Sequence, residues 1–145
     1  MKNFKLLIGT LLLVVLMVSC KKDATDERDK FIGSYTGTFS LLVPALNSSS
    51  SVVQTLTIAK GSANISQITL THAGSTVIPT AAVSGSTYKY DEYTVTSTAN
   101  NITVTMKLNG TGSLSGTSLA ETGTIVYTLA GVDYPGTWSS ALIKQ

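Results

Sequence analysis

Ile102-Thr103-Val104-Thr105-Met106-Lys107-Leu108-Asn109 alternates without a break, with Ile, Val, Met and Leu on one parity and Thr, Thr, Lys and Asn on the other. Successive side chains of a strand point to opposite faces, so this stretch reads as a strand with one dry side and one wet side. The same period of two runs through the chain from Phe31 onward, in segments rich in Thr, Val, Ile, Leu and Tyr punctuated by Gly or Asn. No segment there carries the 3.6-residue period of a useful amphipathic helix. The part beyond Phe31 is therefore an antiparallel all-β domain.

Two stretches fix the register. Val83-Ser84-Gly85-Ser86-Thr87-Tyr88 and Leu114-Ser115-Gly116-Thr117-Ser118-Leu119 share one pattern: apolar, Ser, Gly, Ser or Thr, Ser or Thr, apolar. Glycine at the first central position suits a two-residue type II′ turn, which predicts Val83 across from Tyr88 and Leu114 across from Leu119. Working outward gives strands at 31–41, 52–60, 64–72, 76–84, 87–97, 101–115, 118–130 and 134–143. In the first of these Phe31, Tyr35, Phe39 and Leu41 share a parity with Gly33 and Gly37.

Residues 42–51 read as a loop, because alternation is lost at Pro44 and in the Asn-Ser run after it. Pro79 lacks an amide donor and weakens the fourth strand. Asn109-Gly110 is a second place for a hairpin turn, which would split the long strand quoted above. Eight short antiparallel strands fold as an up-and-down barrel or as a β-sandwich. The barrel is preferred, since closure removes the edges that a Thr-rich sheet would offer for aggregation.

Ahead of the domain, Lys2 and Lys5 precede thirteen residues, 6–18, that are apolar except for Gly9 and Thr10. As a helix this run spans about 20 Å, short of the roughly 30 Å hydrocarbon core that a transmembrane segment must cross. It has the pattern of a signal peptide. Its end, Leu16-Met17-Val18-Ser19-Cys20, resembles the lipobox of bacterial lipoproteins. The resemblance implies cleavage before Cys20, lipidation of its thiol and acylation of the new amino group. Two or more acyl chains anchor a protein stably without spanning the membrane. The alternative is an ordinary secretory signal in which Cys20 is incidental. Cys20 is the single cysteine, so no disulfide forms within the chain.

Lys2 and Lys5 leave with the leader, and they account for the whole formal excess of +2. No basic field for nucleic acid remains. The charged run Lys21-Lys22-Asp23 to Asp29-Lys30 has no apolar period and is expected to be a hydrated tether. The expected organisation is a lipoprotein signal peptide at 1–19, a lipidated tether at 20–30 and a β-barrel at 31–145. Cys20-Lys21-Lys22-Asp23 also looks like the Lys-then-acidic signal that sends Bacteroidetes lipoproteins to the cell surface. The place implied is the bacterial outer membrane, on its periplasmic or its outer face.

Asp29-Lys30-Phe31-Ile32-Gly33-Ser34-Tyr35-Thr36-Gly37-Thr38, the Leu114 to Leu119 turn with Ile125-Val126-Tyr127-Thr128 after it, and the ending from Gly136-Thr137-Trp138 resemble small Bacteroidetes-type lipoproteins with lipocalin-like or calycin-like barrels. True lipocalins carry Gly-x-Trp in the first strand, where this chain has Gly33-Ser34-Tyr35. The resemblance implies a barrel fold and names no reaction.

The residues name none either. His72 is the one histidine, beside Ala73-Gly74, and is expected to be an exposed turn residue. No serine sits in a nucleophile motif such as Gly-x-Ser-x-Gly, and one His with one Cys makes no metal site. Asp91 and Glu92 are adjacent, so without a bulge they point to opposite faces and cannot work as a facing carboxylate pair. The repeated Thr-x-Thr segments suit a wet β-face. Tyr88, Tyr90, Tyr93, Tyr127 and Trp138 are the candidate ligand-lining residues, large amphipathic side chains concentrated in the second half of the chain. They suit core packing, a sugar-stacking platform or the lining of an apolar pocket.

The expectation is a non-enzymatic, lipid-anchored envelope protein without a cofactor, which binds a small apolar ligand, a glycan or an envelope protein. The alternative is a structural or accessory subunit of an outer-membrane complex.

Overall fold

The computed structural model describes residues 25–99 and 102–145. Eight strands close into one antiparallel barrel in chain order: β1 (Gly33–Val43), β2 (Ser48–Lys60), β3 (Gln67–His72), β4 (Thr80–Ser84), β5 (Thr87–Ala99), β6 (Ile102–Ser115), β7 (Ser118–Leu129) and β8 (Val132–Lys144). The barrel, rather than the sandwich, is thus the arrangement the alternation builds. β8 returns to β1 through eight paired positions, Tyr35–Leu42 against Thr137–Lys144, and leaves no seam there.

The turns set the register as their residues require. Val83 lies across from Tyr88 and Leu114 across from Leu119. Gly85 and Gly116 have φ of 54° and 60°, while Ser86 and Thr117 stay at negative φ, which is the type II′ pattern. Asn109-Gly110 is not a turn: β6 runs through it, and Gly110 pairs with Gly123 of β7.

Residues 48–51 are not a loop. A single 3₁₀ turn, Pro44–Leu46, capped by Asn47 at φ 46°, reverses the chain, and Ser48 pairs at once with Val43. Pairing with a formed neighbour overrides the low strand propensity of serine. Two strands start later than the alternation implies. Asn64 Oδ1 accepts the Ser66 amide and holds a turn, so β3 begins at Gln67, and β4 begins only after Pro79.

The interior is filled by Tyr35, Leu56, Ile58, Ile68, Leu70, Tyr88, Leu119 and Leu142 toward one end. The outer face carries cross-strand hydroxyl pairs such as Thr98 with Thr103, 3.0 Å apart. Phe31, just before β1, plugs the filled end, meeting Tyr88 edge to face at 5.5 Å while its carbonyl accepts the Tyr35 hydroxyl at 2.8 Å.

The charged run around it is tied to the barrel from Asp26 on, although Glu27, Asp29 and Lys30 stay exposed. Arg28 donates to the carbonyls of Gly61, Asn64 and Gln67, and Lys60 bridges Asp26 and Asp29. Glu27 accepts the Gly85 amide on the far side of this end. The packed chain therefore starts earlier than the expected boundary at residue 31, because these charges find partners on the barrel. Cys20 and the leader lie outside the described residues.

Candidate functional site

The two ends of the barrel differ because the strands differ in length. β3 and β4 have six and five residues, whereas β1, β2, β5 and β6 have 11 to 14. β2 meets β3 only through Leu56–Lys60, and β4 meets β5 only through Ala82–Ser84 and Thr87–Lys89. The wall is low on that side, away from the Phe31 plug. Behind the low wall lies a cavity of about 210 Å³, lined by Phe39, Leu41, Gln54, His72, Ser75, Tyr90, Tyr93, Val95, Met106, Leu108, Ile125 and Trp138.

Glycines decide how the aromatics reach this space. Tyr90, Gly110, Gly123 and Trp138 form one interior row across β5 to β8. A methyl group on Gly110 would lie 2.5 Å from the Trp138 ring and 2.7 Å from the Tyr90 hydroxyl. The two large rings thus lie over the two small residues and stack at 6.3 Å. Phe39 stacks on the other face of the group, 5.7 Å from Trp138.

A bulge completes the set. The β5–β6 register shifts between Tyr90 and Tyr93, so Asp91 and Glu92 both end up exposed and Tyr93 turns inward beside Tyr90. A bulge places one extra residue against the partner strand and re-aims the side chains beyond it. Asp91 and Glu92 lie outside the barrel interior, where they line a separate surface pocket with Gln67, Lys89 and residues 77–80.

Of the five candidate lining residues, Tyr90, Tyr93 and Trp138 line the cavity. Tyr88 does not: it is buried toward the plugged end and bonded to Glu121. Tyr127 does not either; it pairs with Tyr134 nearer the rim and is half-buried. Tyr88, Tyr90 and Trp138 are buried and Tyr93 is half-buried.

His72 is not an exposed turn residue. It ends β3, opposite Leu56, and lines the cavity, with its Nε2 buried and without a hydrogen-bond partner. Burial holds its pKa below the usual histidine value, so the ring is neutral at pH 7. His72 ends the strand where the alternation places that end, but it shares the inward parity of Ile68 and Leu70, so the ring turns to the interior.

The sequence carries no signal for the polar chain below the cavity. Gln54 lies opposite Gly37, and across that bare position its amide donates to Ser140 Oγ at 2.9 Å. Ser140 is the cross-strand neighbour of Glu121, whose Oε1 accepts the Tyr88 hydroxyl at 2.6 Å. Burial raises the Glu121 pKa, with Tyr88 and Ser140 pulling it back, and Oε2 has no partner. Burial first, and the Glu121 charge second, push the Tyr93 phenol up to about 12, and move Tyr90 in the same direction.

Among the described residues no cluster of three His, Cys, Asp or Glu side chains gathers as a metal site would need. A wider concavity of about 930 Å³ lies over the outer hydroxyls of Ser40, Ser49, Ser51, Thr122 and Ser139. It is open, and Leu41, Leu42 and Trp138 line it alongside those hydroxyls.

No protein-family model matches the chain, and no curated protein does. Among solved structures it is similar to a protein of unknown function from the DUF3598 family of Nostoc punctiforme PCC 73102, at 11% identity and a TM-score of 0.45. The match covers 81% of this chain and 48% of that one, so the chain spans about half the length of that structure.

Proposed function

We propose that this protein is a lipid-anchored component of a bacterial envelope whose lipocalin-like barrel holds a small apolar molecule and catalyses no reaction on it. The observation that carries the binding reading is the cavity of about 210 Å³, walled by Phe39, Leu41, Val95, Met106 and Leu108 and bounded by the Tyr90–Trp138 stack. A cavity of about 150 Å³ lined by hydrocarbon holds benzene, so this one has room for a single substituted ring or a short branched chain. The anchor rests on the leader and Cys20.

Trp138 is the single tryptophan of the chain and lines the cavity, so its emission reports occupancy. Methylcyclohexane is expected to change that emission saturably, and Val95→Phe, which adds a ring to the wall, to weaken the effect strongly. Emission that never saturates would overturn the binding reading. Separately, Cys20→Ala is expected to move the protein from the detergent phase to the aqueous phase; unchanged partitioning would overturn the anchor.

The alternative, an accessory subunit of an outer-membrane complex, has one observation in its favour. The part of β2 before Thr55 has no second neighbouring strand among the described residues, and Val53 on it is 79% exposed. Crosslinking from position 53 to another envelope protein, in cells, would favour it.

A further inference from the structure

The accessible wall of the cavity is almost wholly apolar, with the polar ends of Gln54 and His72 buried along one side of it. There β2 and β3 bring Gln54 and His72 to the same wall, and the two differ in how they are satisfied. Gln54 commits its amide nitrogen to Ser140, which leaves its carbonyl oxygen as an acceptor. His72 Nε2 has no partner at all. A buried polar atom left unpaired is costly, and such an atom beside an apolar cavity marks where a ligand supplies what the protein does not.

The charge of that ligand is set by its surroundings. No lysine or arginine is among the lining residues. The His72 ring is neutral, and behind Gln54 and Ser140 lies the buried carboxyl of Glu121. A carboxylate entering here would lose its water and meet no cation, which disfavours it strongly. A hydrocarbon would fill the volume but leave Nε2 unpaired. A hydroxyl both donates and accepts, so it pairs with Nε2 in either imidazole tautomer; where Nε2 carries the hydrogen, the hydroxyl accepts from it and donates to the Gln54 oxygen.

We propose that the cavity selects a neutral apolar alcohol of about single-ring size, its hydroxyl directed at the His72–Gln54 wall. This rests on the binding reading above and specifies its ligand class. His72 is then a specificity-determining residue rather than a catalytic one.

The test compares cyclohexanol, methylcyclohexane and cyclohexanecarboxylate, three probes of similar body transparent where Trp138 is excited. In the wild-type chain cyclohexanol is expected to bind roughly 5- to 10-fold more tightly than methylcyclohexane, as one neutral hydrogen bond provides, and the carboxylate to bind weakest. His72→Phe is expected to abolish the preference for the alcohol while methylcyclohexane still binds. His72→Gln, which keeps a hydrogen-bonding group and serves if the phenylalanine variant does not fold, is expected to retain part of it. Equal binding of alcohol and hydrocarbon, a preference untouched by both substitutions, or tightest binding of the carboxylate would each overturn the inference and leave the binding reading standing. Failure of all three probes to bind would overturn both.

Discussion

The Tyr88 hydroxyl donates a 2.6 Å hydrogen bond to Oε1 of Glu121 across the barrel interior, passing over Gly112, where a methyl group would lie 2.1 Å from the tyrosine ring. Tyr88, Gly112 and Glu121 are successive positions of one interior row on β5, β6 and β7. The pair puts an ionisable group in the core with only one of its oxygens satisfied, which makes stability depend on pH.

Burial raises the folded-state pKa of Glu121 above the value it has in the unfolded chain. The folded state therefore holds the proton more tightly, and stability falls as pH rises from the ordinary carboxylate range through the raised value. Glu121→Gln keeps an acceptor for Tyr88 and removes the charge. It is expected to stabilise the protein by about 1 kcal/mol or more at pH 8 and by little at pH 4. Urea melts of both proteins at the two pH values check this. The comparison also removes the opposing contribution of Asp26, whose pKa is held low chiefly by its side-chain hydrogen bond to Arg28. Equal differences at pH 4 and pH 8 would contradict the argument.

Gly123→Ala is expected to cost about 3 kcal/mol or more, at the upper end for overpacking. The added methyl would lie 1.9 Å from the backbone oxygen of Asn109, which cannot swing away, and 2.5 Å from Trp138 Nε1. Thermal melting together with a shift in Trp138 emission would show that the row, not only the global fold, is disturbed.

Gly116→Val places a branched residue at φ 60° in the β6–β7 turn. Open space surrounds the position, so the effect is conformational rather than steric, and is expected to be about 1–2 kcal/mol. Gly116→Asn, a residue that tolerates positive φ, should lose less. If both variants melt with the wild type, the turn carries no conformational demand.

Phe31→Ala removes the plug against Tyr88 and is expected to cost about 3–5 kcal/mol, as for other buried aromatics. Because the cavity lies at the opposite end, probes of Trp138 should still bind in the variant at temperatures where it is folded. Loss of binding in a folded Phe31→Ala protein would show that the two ends are coupled.

The all-β class was readable from the residues because most strands carry their own period of two, and the barrel was preferred to the sandwich because closure removes the edges of a Thr-rich sheet. The two Ser-Gly turns, in addition, fix how neighbours align without reference to the rest of the chain. Val83 opposite Tyr88 and Leu114 opposite Leu119 are consequences of local geometry alone. The proposed anchor likewise rests on the sequence alone, on a short contiguous pattern ending at Cys20.

The cavity is not of that kind. Tyr93 faces inward only because the ladder slips between Tyr90 and Tyr93, and no local residue preference announces that slip. Gln54 reaches Ser140 because Gly37 between them has no side chain, and Trp138 reaches Tyr90 because Gly110 and Gly123 are bare. His72 and Glu121 come to the interior from strands 49 residues apart in the chain. Local alternation settles which face a side chain takes wherever the ladder runs unbroken; which side chains then share that face across the barrel depends on register, bulges and the empty positions between them, and these exist only once the sheet has closed.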